Sequence, residues 1–118
     1  NFTMLEKVDL EEGLDDIQHQ WQPIFVKHPE TGKTALYVSR LISAMIENLP
    51  CEESDDILGQ LIEIAEDPAV VYEHVWQAGD LAMWDNRCST HARTDFPAEE
   101  TRLLRRCTVE GAPMIAAA

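Results

Sequence analysis

Leu81-Ala82-Met83-Trp84-Asp85-Asn86-Arg87-Cys88-Ser89-Thr90-His91 runs from an apolar stretch through a polar turn to a histidine. The turn Gln77-Ala78-Gly79-Asp80 precedes it. Before that turn lies Val70-Val71-Tyr72-Glu73-His74-Val75-Trp76, which alternates and is rich in β-branched and aromatic residues. Two strand-like runs joined by a Gly-Asp turn read as antiparallel β-structure. A third such run covers 103–109, and Gly111-Ala112-Pro113 then ends regular structure.

Outward towards the N-terminus, Ile24-Phe25-Val26-Lys27 and Thr34-Ala35-Leu36-Tyr37-Val38-Ser39 are further β-prone runs. His28-Pro29-Glu30-Thr31-Gly32-Lys33 separates them, with Pro and Gly where a hairpin turn needs them. Pro50 closes an apolar connection over 41–49. Ser54 is the expected helix N-cap, with Asp55 and Asp56 in the first turn. Ile57, Leu58, Leu61, Ile62 and Ala65 share one helical face, and Asp67-Pro68 stops the helix. Val8, Leu10, Leu14 and Ile17 give a loosely periodic lead-in over 1–20, readable as a short helix or an ordered loop. The expected class is mostly β with one packed helix.

The 118 residues suit one domain. A net charge of −13 disfavours nucleic acid and anionic membrane surfaces, which need clustered Lys and Arg. An anionic small molecule must then be drawn in by a few local cations. No apolar run reaches the roughly 20 residues of a bilayer span. Cys51, Cys88 and Cys107 are odd in number and lack CxxC spacing, which fits reduced thiols in a cytoplasm.

The histidines differ in context. His19 reads as a surface residue, and His74, between Tyr72 and Trp76 on one strand face, as a packed, hydrogen-bonded core histidine. His28-Pro29-Glu30 has H-x-E spacing, but its place at a turn tip argues against two converging metal ligands. Cys88 near His91 offers no oxyanion device for a nucleophile. His91 closes a strand-to-turn stretch, and strand alternation puts Arg102 and Arg106 on one face beside Leu104. Spacing alone leaves two readings of these arginines: inward anion clamps, or a surface cluster balancing Glu99 and Glu100.

Leu81 to Arg87, then Thr90-His91, then Arg102 and Arg106, resemble the C-terminal half of the taurine dioxygenase-like family. These are iron(II)- and 2-oxoglutarate-dependent oxygenases. The hairpin over 28–38 and Trp76-Gln77-Ala78-Gly79-Asp80 are similar to that family too, so the likeness covers roughly 22–112. The resemblance implies a double-stranded β-helix, the jelly roll. It implies His91 as an iron ligand, Arg102 on the far carboxylate of 2-oxoglutarate, and Arg106 near the acidic group of the substrate. It also implies Fe(II), 2-oxoglutarate, O2 and a small anionic substrate of the taurine or alkylsulfonate kind, with oligomeric state left open.

Two departures qualify the likeness. The family draws two further iron ligands from an H-x-D motif in its N-terminal half, and no H-x-D occurs here. The chain is therefore expected to be a single partial domain. In that division 1–20 is the lead-in, 21–112 the second half of the jelly roll and 113–118 a tail, with the rest of the protein omitted. The alternative is a catalytically incompetent jelly-roll fragment, or a binding or scaffold protein without metal chemistry. Secondly, Ser39-Arg40-Leu41-Ile42-Ser43 lacks the aromatic that taurine dioxygenase contributes there to its pocket.

Overall fold

The computed structural model describes residues 18–117, so the lead-in residues Val8 to Ile17 lie outside the described residues. Strands β1 (Phe25–Lys27) and β2 (Thr34–Leu36) form the expected hairpin, and helix α1 (Cys51–Ala65) follows. The strands pair antiparallel, with Phe25 opposite Leu36, Val26 opposite Ala35 and Lys27 opposite Thr34. The turn closes through His28 N–H to Lys33 O and Gly32 N–H to His28 O, each 2.8 Å. Gly32 has φ +68°, a left-handed conformation that glycine adopts without a Cβ clash.

Helix α1 begins three residues before the expected cap. Pro50 is the N-cap, with no side-chain cap bond, and Glu52 and Glu53 are the first-turn acids in place of Asp55 and Asp56. The fixed φ of proline suits the chain entering a helix. Ser54 lies inside the helix, fully buried, and its Oγ accepts the Ile46 N–H at 2.7 Å. The hydroxyl that looked like a cap therefore ties the preceding loop to the helix. Ser54→Ala leaves that amide without its acceptor, a loss of about 1–3 kcal/mol. The better helix propensity of alanine offsets only a few tenths of this. Denaturant unfolding is expected to show a lower midpoint, and an unchanged midpoint contradicts the assignment.

The predicted apolar face packs apart from Ile57, which lies outside the cluster. Leu58 and Ile62 are buried against Val38, with Ile24, Leu36, Ile46, Leu61 and Ala65 around them. Each buried aliphatic side chain contributes about 1.5–3 kcal/mol. Arg40 spans from the end of the hairpin to Glu66 at the helix C-cap, at 2.8 Å. Both partners are exposed, so this pair adds little to stability.

The chain differs from expectation at both its C-terminal end and its remaining strands. Residues 113–118 read as a tail, yet Ala116 bridges Val26 antiparallel. Lys27 N–H donates to Ile115 O at 2.8 Å and Ala117 N–H to Phe25 O at 2.9 Å. Conversely, 70–76, 81–84 and 103–109 carry no ladder among the described residues. A strand is completed by a neighbour that takes its N–H and C=O groups, and here the nearby backbone bonds are turn bonds such as Asp80 N–H to Gln77 O. Their apolar side chains lie open, Leu81 and Met83 each at 94% exposure. The described residues thus contain a small two-stranded sheet and one helix. No described helix is long and apolar enough to cross a membrane.

Candidate functional site

Residues 85–89 form a turn built on Asp85. Its backbone carbonyl accepts the N–H of Cys88 (3.3 Å) and Ser89 (3.1 Å) and the Ser89 hydroxyl (2.7 Å). Its carboxylate accepts the Arg87 N–H and Nε, each at 2.9 Å, and Arg87 Nη2. Asp side chains favour this local bonding, which explains why a polar turn interrupts an apolar run here. Trp84 Nε1 donates to Asn86 Oδ1 at 2.9 Å. The Trp84 ring in turn lies 4.6 Å from the His91 ring, tilted by 46°. Indole and turn together give the exposed His91 a defined neighbour on one side.

The Arg87 side chain, and then the Arg87 N–H, hold the Asp85 carboxyl well below the usual carboxylate range. The same pair raises the Arg87 guanidinium. A depressed carboxyl stabilises the folded chain above the ordinary Asp value, near 3.9. That contribution is lost as pH falls through the depressed value. An NMR titration of the Asp85 carboxyl carbon is expected to give a midpoint below about 3.9, and a midpoint at or above it contradicts the pairing.

Arg102 and Arg106 are exposed, in a segment without regular structure, and neither is ion-paired among the described residues. No hydrogen bond, ion pair or ring contact joins His91 to either arginine among the described residues. His74 is hydrogen-bonded as expected, to Asp80 at 3.1 Å, and packs edge-on to Trp76 at 4.8 Å, but it is not a core residue. His19 is exposed beside Trp21, with ring centroids 6.0 Å apart.

His28 supplies what sequence reading missed. Its Nε2 lies 3.3 Å from Asp85 Oδ2, and both side chains are partly buried. Glu30 is exposed and meets His28 only through its backbone N–H. The rejected H-x-E pair is accordingly a turn whose histidine faces a different carboxylate. Nothing in local periodicity announces a contact between residues so far apart in the chain.

The turn, the indole and the terminal histidine sit within a longer match. Residues 5–108 match the model of the family described as Taurine catabolism dioxygenase TauD, TfdA family. The chain belongs to that family. Among its TauD/TfdA relatives is the (S)-phenoxypropionate/alpha-ketoglutarate-dioxygenase of Sphingobium herbicidovorans, 37% identical over 86% of this chain and 35% of the relative. Pentalenolactone F synthase of Streptomyces arenae is 34% identical over 85% of this chain and 35% of its own length. The alpha-ketoglutarate-dependent 2,4-dichlorophenoxyacetate dioxygenase of Burkholderia sp. is 38% identical over 75% of this chain and 30% of its own. This TauD/TfdA chain spans about a third of the length of the curated relatives it matches. No solved structure matches it.

The iron that the family implies can be tested against these residues. A histidine imidazole is a suitable Fe(II) ligand, and His91 is exposed and not ion-paired among the described residues. No group of three His, Cys, Asp or Glu donors among the described residues includes it. His91 therefore fits one position of such a centre, and the described residues do not complete it.

Proposed function

We propose that the full-length protein carrying this stretch is an Fe(II)/2-oxoglutarate-dependent dioxygenase that hydroxylates a small, anionic organic substrate. Decarboxylation of 2-oxoglutarate to succinate and CO2 accompanies the oxidation. The observation that carries the reading is the family match, which embraces His91, Arg102 and Arg106. Bound iron supplies oxygen activation, and the roles of the chain's own residues follow from their chemistry. His91 gives one neutral imidazole ligand. Arg102 pairs its planar fork with the distal carboxylate of 2-oxoglutarate, and Arg106 meets the acidic group of the substrate. In a chain of net charge −13, these local cations are what admit an anion at all.

In this reading, 21–112 are the C-terminal half of a jelly roll. The uncovered runs 70–76, 81–84 and 103–109 are strands whose ladder partners come from the remaining length of the protein. That placement accounts for β-prone sequences lying open. Three free thiols support a reducing, cytoplasmic setting.

A taurine- or alkylsulfonate-like compound is one substrate class, and the names of the relatives bring aryloxy carboxylates beside it. The full-length protein, supplied with Fe(II), 2-oxoglutarate and O2, is tested for succinate formation that depends on an added substrate. A panel of taurine, longer alkylsulfonates, phenoxypropionate and 2,4-dichlorophenoxyacetate spans both acid groups. Succinate formation stimulated by at least one of these anions is expected. No 2-oxoglutarate consumption under any of them removes the proposal.

A further inference from the structure

A ring nitrogen of His28, an Asp85 carboxylate oxygen and Cys88 Sγ lie within 4.8 Å of one another, a grouping that resembles a cation site. The tautomer of His28 decides against it. Its Nδ1 accepts the N–H of Glu30 at 3.2 Å and of Thr31 at 3.3 Å. A ring nitrogen that accepts carries no proton, so the proton sits on Nε2. Nε2 then has no lone pair for a metal. The Arg87 guanidinium also occupies the same carboxylate and would repel a cation. What Nε2–H can do is donate to Asp85 Oδ2, and it is 3.3 Å away.

We propose that His28 is a positioning residue for His91. The backbone of the hairpin turn orients its ring, and the ring holds Asp85, the residue on which the turn 85–89 is built. Among the described residues, this is the one side-chain hydrogen bond or ion pair between the hairpin turn and that turn. Residues 85–91 lie past the β-prone run 81–84 and carry no ladder among the described residues, so there a side-chain tie holds what strand pairing does not. Asp85 passes the constraint on through its carbonyl to Ser89, two residues before His91. The proposal rests on the reading of His91 as a metal ligand. Residues that orient a ligand without touching the metal typically tune its affinity by about 10–100-fold.

Two variants separate the halves of the imidazole. His28→Asn keeps an acceptor near Nδ1 for the turn amides but ends short of Asp85. His28→Gln keeps a donor near Nε2. The probe is Co(II), inert to O2 turnover, titrated into the full-length protein, with its visible absorption reporting ligand number. Affinity is expected to fall about tenfold or more in His28→Asn, with an altered spectrum, and to return to within about threefold of wild type in His28→Gln. Wild-type affinity in His28→Asn overturns the proposal, as does an equal loss in both variants. So does Zn(II) binding that Cys88→Ser abolishes, because the trio would then be a metal site. His91→Ala in the same titration tests the underlying reading alone: Co(II) affinity and spectrum unmoved by that change remove His91 itself as the ligand.

Discussion

His91→Ala in the full-length protein is expected to abolish 2-oxoglutarate turnover, with succinate formation down by at least about a thousandfold. The size follows from what is removed. A facial site of two histidines and one carboxylate has no spare protein ligand, so losing one imidazole costs both metal affinity and geometry. The comparison that gives the result meaning is Cys88→Ser. Cys88 is exposed, three residues away, and its thiol makes only a weak 3.9 Å contact to the Asp85 carbonyl. Activity is expected to survive that change. Succinate production that persists in His91→Ala sinks the assignment. The 118 residues alone are expected to bind Fe(II) weakly and to turn nothing over, because His91 is the one ligand of the family's centre that they supply; tight stoichiometric iron binding by this stretch overturns that view.

The second large effect is expected at Arg102. Charge-assisted hydrogen bonds contribute about 1.5–3 kcal/mol each, and a guanidinium fork makes two to a carboxylate. With about 1.4 kcal/mol per tenfold change, Arg102→Ala should raise the KM for 2-oxoglutarate by at least about 100-fold. The change in kcat at saturating 2-oxoglutarate should be much smaller, because the distal carboxylate does not react. Arg102→Lys retains the charge but loses the fork and should fall between. An unchanged KM in the alanine variant transfers the anion-binding role elsewhere, with Arg106 and Arg105 the next residues to test.

Local features were legible because local chemistry forms them. Pro29 and Gly32 mark the hairpin turn, and Leu58, Leu61, Ile62 and Ala65 trace the helical face that packs. The helix start was misplaced because Ser54 offers the same hydroxyl to a cap or to a loop amide, and only folding shows that Ile46 takes it. The runs 70–76, 81–84 and 103–109 carry the sequence of strands without a ladder. Propensity resides in one segment, whereas a ladder needs two. His91 and Arg102 could be named only through family likeness, since spacing left them balanced against a surface cluster. The contact of His28 with Asp85 was illegible because it is made across the fold.

The bare valines and aromatics at 70–76, with Leu81 and Met83, have a colloidal consequence. Unsatisfied strand edges with high β-propensity are templates for one another. Expressed as a separate piece, this segment therefore tends towards self-association, and its strong negative charge is the main force keeping copies apart. Raising salt screens that repulsion without covering a single valine. During synthesis, prompt covering of these runs would be a race against intermolecular pairing.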